Sequence, residues 1–267
     1  MKISEIWIYP IKSCGGIRLR EWDLLQTGLR WDRQWMIVDP DGKFITQREH
    51  PEMARILTRE HGGELYMSIE GTELRLEGPS DQLVSSQVWS SQVRASLEKN
   101  LGTHQLLSDF MKRPVQLVTA GPVFRRAVPE REAPASRHTF FADSHPLLVA
   151  TMPSLEDLNT RLKEAVPMSR FRPNLVVSGE LAPYAEDQWD RVRMGDHVIE
   201  NRKMCSRCPI ITIDQDLGVK KGPEPLATLA KYKRSGTKVY FGVRAWSESE
   251  GRIREGDSVQ VLSSKEG

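Results

Sequence analysis

The sequence predicts an α+β protein that is mostly β, an antiparallel barrel or sandwich with a few peripheral helices. Short apolar runs recur along the chain with turn residues between them. They do not alternate with helices in the strand–helix–strand order that builds a parallel sheet. At 267 residues the chain can bury a sizeable core, as one large domain or two smaller ones.

The elements follow in order. Ile3 to Tyr9 alternates apolar and polar residues, as a half-buried strand does, until Pro10 and the Gly15-Gly16 pair break it. Trp35 to Val38 is a short apolar run ending at Asp39-Pro40-Asp41-Gly42, a turn in which Gly42 supplies a positive φ. Phe44 to Thr46 is the expected returning arm, and Glu64 to Ile69 with Thr72 to Leu76 reads as a second hairpin around Glu70-Gly71. From Ser91 to Arg113 the spacing of Val93, Leu97, Leu101, Leu106, Phe110 and Met111 predicts helix, with a break at Gly102. Gly121 to His138, rich in Pro and Arg, has no period and reads as a long connection. A buried strand follows over Pro146 to Ala150. Ser154 then opens a helix with Leu155, Leu158 and Leu162 on one face and Asp157 three residues after the cap. Leu175 to Ser178, His197 to Glu200, Ile210 to Ile213, Lys238 to Val243 and Val259 to Leu262 read as strands, and Pro225 to Lys233 as a short helix.

Composition narrows the function classes. Hydrophobic residues make up 39% and charged residues 28%, as in a soluble globular protein. A net charge of +2 gives no footprint for nucleic acid. No stretch approaches the ~20 apolar residues that a membrane span requires, and the N-terminus lacks the pattern of a secretory signal. Three cysteines cannot form a disulfide framework, so reduced thiols in a cytosol are expected.

Two of those cysteines form the pair Cys205-x-x-Cys208 in "CSRCPIITID". Structural zinc needs four ligands, and only Cys14 and six scattered histidines remain, none in paired spacing. A redox pair should open a helix, whose N-terminus lowers the thiol pKa, whereas this one precedes a predicted strand. Two buried, inert cysteines would satisfy the spacing equally well. Arg207 beside Cys208 argues for a thiolate there.

Four segments taken together change the balance: "WIYPIKSCGG", "GLRWDRQWMIVD", "FRPNLVVSGE" and "CSRCPIITIDQDLGVKKGPEPLATL", closed by "GRIREGDSVQVL". In that order they resemble the MOSC family, and within it the amidoxime-reducing branch and its bacterial relatives that reduce N-hydroxylated compounds. The resemblance implies a MOSC β-barrel core over 121–267 and a smaller β-rich N-terminal domain over 1–120, whose first residues, to about position 35, pack with the core. It implies a molybdenum-pterin cofactor with Cys208 as metal ligand and catalytic centre, and Cys205 as a structural neighbour. A soft thiolate suits a metal that already carries pterin sulfurs.

By the same resemblance Lys12, Ser13, Arg33, Arg172 and Asn174 contact the cofactor, and Thr151 does so at the end of its strand. Their chemistry is consistent with that: Lys12 offers a point charge, Ser13 a hydroxyl, and Gly15-Gly16 a close backbone approach. Arg33 lies between tryptophans, and the strand after Pro173 should place Arg172 and Asn174 on one face. Arg170 and Cys14 receive no role, Asp143-Ser144 border the site, and His145 reads as a packing residue.

The expected substrate is a small N-hydroxylated molecule. No G-x-G-x-x-G opens a helix and no cysteine cluster remains for an iron–sulfur centre. Electrons are therefore expected from a separate ferredoxin, flavin reductase or haem carrier, docking on the loop with Arg125, Arg126, Arg131 and Arg137. Without a visible N-terminal anchor, the expected compartment is the cytoplasm. The competing reading is a sulfur carrier or cofactor-handling protein with a persulfide on Cys208.

Overall fold

The computed structural model describes residues 1–126 and 138–265, with 45% of residues in strands and 16% in helices. Its largest unit is a nine-stranded sheet. The strand path runs Ile17–Leu19, Lys2–Ile8, Leu175–Ser178, Leu147–Thr151, Lys238–Ser247, His197–Ser206, Trp189–Met194 and Val259–Ser264, with Arg234–Ser235 added on Lys238–Ser247. One neighbouring pair is parallel, Leu147–Thr151 beside Leu175–Ser178. The connection between them holds the helix Met152–Thr160, whose Leu155 and Leu158 pack with Ala150, Phe171 and Val176. The ladder does not close into a continuous barrel. A single bridge between Lys2 and Ser258, with backbone bonds from Ile3 N to Asp257 O (2.9 Å) and Val259 N to Met1 O (3.0 Å), ties its two ends.

A second sheet has four strands in the order Trp35–Val38, Gln116–Thr119, Ser91–Glu98 and Pro79–Val88. The meander Leu57–His61, Glu64–Ile69 and Thr72–Arg75 and the helix Leu101–Met111 complete this half of the chain. Packing divides the N-terminal segment. Ile3, Ile6, Ile8, Trp22, Leu24 and Leu29 are buried with Leu147, Val149, Leu175, Val243 and Ile253. Ile11, Cys14 and Trp35 instead join Met67, Leu107 and Leu117.

Several elements differ from the sequence reading, each for a local reason. Ser91–Glu98 is a strand, and helix begins only at Leu101. Val93 and Leu97 fit a helical and an alternating period alike, and buried Ala95 between them belongs to the alternating one. Gly102 lies in the first turn of that helix, its N–H donating to the cap Asn100 Oδ1 (3.1 Å), so it breaks nothing. Thr151, not Ser154, caps the next helix. Ile210 to Ile213 is mostly a 3-10 turn, Pro209–Thr212, because Pro209 cannot donate to a ladder. Only Ile213–Asp214 remains as strand. His197–Ser206 runs six residues past its expected end. Pro225 to Lys233 holds a single helical turn, Leu226–Leu229. Phe44 meets Val38 through one bridge, while Gly42 does adopt the positive φ expected of it, 79°. Among the described residues no helix is long and apolar enough to cross a membrane.

Glu98, fully buried, fastens the corner between strand and helix. Its carboxylate accepts from Trp35 Nε1 (2.7 Å) and from the backbone N–H groups of Glu77 (2.6 Å), Gly78 (3.0 Å) and Asn100 (3.3 Å). Glu98→Ala leaves four donors without an acceptor. It is expected to cost about 3 kcal/mol or more in urea unfolding, with Glu98→Gln losing less; a loss under about 0.5 kcal/mol would contradict this account.

Candidate cofactor and active site

The largest concentration of polar side chains surrounds one cleft with about 740 Å³ of empty space, part of it open to solvent. Its wall includes Lys12, Ser13, Arg33, Asp143, Ser144, His145, Arg172, Asn174, Cys205, Ser206, Arg207, Cys208 and Arg244. Six of the seven residues expected to contact a cofactor therefore come together from four distant stretches of chain. Three of them, Ser13, Arg33 and Arg172, hold left-handed backbone at φ 66°, 48° and 54°. Such conformations cost of order 1 kcal/mol each in non-glycine residues and concentrate at functional sites.

The Tyr9 ring organises the arginines. Arg33 and Arg172 place their guanidinium carbons 4.4 and 4.2 Å from its centroid. Arg33 Nη1 donates to both oxygens of buried Asp32 (2.8 and 2.6 Å) and to Asn174 Oδ1 (3.1 Å), and its Nη2 donates to Arg172 O (3.1 Å). The Arg33–Asp32 ion pair is thus an interior one, with Asp32 side-chain exposure of only 2%. Burial pushes the Asp32 carboxyl upward and Arg33 opposes it. Arg172 donates to Cys14 O (2.6 Å), and burial lowers its pKa to about 10. Asn174 is largely committed to scaffolding, its Oδ1 also accepting from Leu148 N and its Nδ2 donating to Trp7 O (both 3.1 Å). The two glycines after Ser13 serve packing. A Cβ on Gly16 would stand 2.5 Å from a Tyr9 ring carbon, and one on Gly15 would meet Leu57 and the Ile56 carbonyl.

Lys12 forms the second cluster. It is buried, and its Nζ donates to Phe141 O (2.8 Å) and Asp143 Oδ1 (2.7 Å). Burial lowers its pKa, while Asp143 pulls it back up. Arg126 fixes the loop that supplies these partners by donating to the carbonyls of Phe140 (3.0 Å), Ala142 and Asp143 (3.3 Å). This corrects its expected place on a docking surface, for Arg126 is 8% exposed. Arg125 remains exposed, while Arg131 and Arg137 lie outside the described residues. Ser13 is within the wall, and its hydroxyl makes no hydrogen bond among the described residues.

The cysteines exchange the roles that the sequence suggested for Arg207. Register shifts in the ladder with Lys238–Ser247 fall between Asn201 and Lys203 and between Met204 and Ser206, so Cys205 sits at a bulge, a device that re-aims side chains. Its Sγ accepts from Arg207 Nη1 (3.0 Å) and Arg244 Nε (3.4 Å). Burial alone would raise this thiol, but the two arginines hold it below its ordinary value. Arg207 therefore serves Cys205 and not Cys208. Cys208 is half-buried, caps the turn Pro209–Thr212, and has no hydrogen-bonded partner at its sulfur among the described residues.

Thr151 is the expected contact that the structure does not bring to the cleft. Its hydroxyl is buried between Ser154 Oγ (2.7 Å) and Glu186 Oε2 (2.9 Å), where it caps a helix. Arg170, left without a role, pairs with Asp214 (3.2 Å). Sequence reasoning missed Ser206 and Arg244, and it set aside His145, which lines the cleft with its Nδ1 2.9 Å from Ser144 Oγ. Ser206 was legible as a neighbour of the cysteines. Arg244, within a predicted strand, carried no signal.

The clamp around Cys205 predicts a titration. In a Cys208→Ser background, ultraviolet absorbance should show one thiolate forming below the ordinary thiol range, since burial pushes Cys14 up to about 12. Arg244→Gln or Arg207→Ala should move that titration upward. An unchanged titration in both would remove the clamp as its cause.

Residues 136–260 match the family described as "MOSC domain", and residues 1–114 match "MOSC N-terminal beta barrel domain". The chain is 33% identical over 280 residues to mitochondrial amidoxime-reducing component 1 of Homo sapiens, covering 97% of this chain and 82% of that protein. It is 30% identical over 281 residues to mitochondrial amidoxime reducing component 2 of Homo sapiens, covering 96% and 82%. It is also 33% identical over 275 residues to molybdenum cofactor sulfurase of Oryza sativa subsp. japonica, covering 90% of this chain and 32% of that longer protein. The chain belongs to the MOSC family and stands close to its amidoxime-reducing components.

Proposed function

We propose that this protein is a molybdenum-pterin reductase of N-hydroxylated compounds. The N–O bond is cleaved with two electrons and two protons, leaving an amine or amidine and one water. The observation that supports this most is the company Cys208 keeps: an unpartnered, half-exposed thiol in the wall of a cleft that also holds Lys12, Ser13, Arg33, Arg172 and Asn174.

The donor set suits such a cofactor. Five cationic side chains, Lys12, Arg33, Arg172, Arg207 and Arg244, line the cleft with one carboxylate, Asp143. That excess favours a phosphate-bearing ligand. Ser13 adds a free hydroxyl, and Cys208 offers the soft sulfur that molybdenum takes. Among the described residues no three His, Cys, Asp or Glu side chains gather to hold a metal by themselves, so the remaining ligands would come from the pterin. When bound, the cofactor would supply the electron transfer and oxygen affinity that N–O cleavage needs. The chain's part is to bind and orient: Arg172 and Lys12 as anion contacts, Ser13 as a hydrogen-bond donor, and the clamped Cys205 as the anchor of Arg207 and Arg244. Electrons would come from a separate ferredoxin, flavin reductase or haem carrier.

A sulfur-transfer reading, with a persulfide on Cys208, draws on the likeness to the sulfurase. The two separate cleanly. Expressed in a cofactor-competent host, the protein should carry near-stoichiometric molybdenum and reduce an amidoxime with an artificial electron donor. Cys208→Ala should lose both metal and turnover, whereas Cys205→Ser should keep most of the metal. A metal-free protein with a cyanide-labile sulfur on Cys208 would favour the carrier, and equal metal loss in both variants would sink the single-ligand assignment.

A further inference from the structure

We propose that Trp89 is a stacking platform for the flat, ring-bearing part of the substrate, with Arg48 beside it favouring rings that carry a negative group. The proposal rests on the reductase reading above and adds the residues that choose among substrates.

Trp89 is in an unusual place. The strands Pro79–Val88 and Ser91–Glu98 pair Val88 with Ser91, so the loop between them is Trp89-Ser90 alone. Trp89 holds φ 55° there, at a loop position that glycine fills when φ is positive. A bulky residue in that conformation is a genuine outlier, and such strain points to function. The side chain is also 37% exposed, while Trp22, Trp35, Trp189 and Trp246 are all 8% exposed or less. Neither turn geometry nor core packing calls for an indole at this tip.

The surroundings say what it could do. The indole N–H donates to Asp143 Oδ1 (3.3 Å), the oxygen that also accepts from Lys12, and both residues line the cleft. Phe44 meets the ring edge-on at 5.0 Å, and Arg48 places its guanidinium 4.5 Å from the ring centroid. Arg48 makes no close ion pair among the described residues; its charge acts at longer range on the Asp143 carboxylate, which Lys12 already holds, and leaves it able to meet a further anionic group. Indole, guanidinium and phenyl thus form a supported group next to the residues that line the cleft, joined to them through Asp143, with part of the indole left to solvent. Aromatic surface with an adjacent cation recognises a planar ring bearing an anionic substituent.

The test uses the cofactor-loaded protein with an artificial electron donor and three substrates: an aryl amidoxime, its para-carboxylate and an acyclic alkyl amidoxime. Glycine suits the backbone at this position, so Trp89→Gly should fold. It should raise KM for the neutral aryl substrate about fivefold more than for the alkyl one, the size of one aromatic pair. Trp89→Phe should recover most of that difference, and Arg48→Gln should erase the advantage of the carboxylate over the neutral ring. Equal KM changes for aryl and alkyl substrates, or no change, would overturn the platform. A second readout is independent of turnover. Titration with the carboxylated aryl amidoxime should quench tryptophan emission saturably in the unaltered chain and not in Trp89→Phe. If no substrate is reduced, the reductase reading fails by itself. The emission titration still decides the platform, and identical quenching in the two proteins rules it out.

Discussion

Two guanidinium groups stacked on one buried aromatic ring set the terms for everything around them. Arg33 and Arg172 both lie against Tyr9, with Asp32 as the carboxylate that meets one of them. Like charges brought this close into the interior must be compensated by hydrogen bonds, π-electrons or an anion, because isolated buried charge is severely penalised. The carbonyls of Cys14 and Arg172, the amide of Asn174 and the Tyr9 ring supply part of that compensation. What remains is a cleft with a standing surplus of positive charge. That surplus would favour an anionic ligand whichever one the cleft takes.

The same constraint explains why the cleft draws on both ends of the chain. Tyr9, Lys12 and Ser13 follow directly from a strand in the large sheet, Arg172 and Asn174 precede its neighbouring strand, and Asn174 bonds back to Trp7. The Lys12–Asp143 pair and the carbonyls gathered by Arg126 then bring in the segment before Leu147. Lys12, Arg33, Arg172 and Arg207 each donate to a backbone carbonyl, so their placement depends on loop conformation. The left-handed residues Ser13, Arg33 and Arg172 are the visible cost of that arrangement.

Much of this was legible in the sequence, and the failures are instructive. Alternation identified Ile3 to Tyr9, and turn chemistry identified Gly42, because both signals are local. Ser91 to Glu98 was misread because Val93 and Leu97 satisfy two periods at once, and only pairing with Pro79–Val88 decides between them. At the site, six of the seven residues expected to contact a cofactor line one cleft, yet Thr151 faces Glu186, since a hydroxyl at the end of a strand suits a helix cap equally well. Neighbours in sequence also misled: Arg207 adjoins Cys208 but reaches Cys205, because a bulge in the strand turns the sulfur toward it. Tyr9 carried no signal at all, for its role exists only once Gly16 admits the ring and two remote arginines close on it.

The strand Lys2–Ile8 pairs with Leu175–Ser178, and the Ser4 hydroxyl bonds a carbonyl 172 residues further along. That separation governs how the protein comes into being. At ordinary rates of synthesis the opening strand waits about 10–30 s for its partner to emerge. Until then the strand has only Ile17–Leu19 beside it, and Ile3, Ile6 and Ile8 have only Trp22, Leu24 and Leu29 of their core cluster to pack against. The long loop must be closed before those contacts reward it, which slows folding relative to locally paired proteins. Arg33 and Asp32 emerge early as well, while Arg172 and Asn174 arrive with the partner strand. The charged hub therefore assembles late, in the same step that pairs Lys2–Ile8 with Leu175–Ser178, and a nascent chain stalled before that step would expose both an unpaired strand edge and an unfinished site.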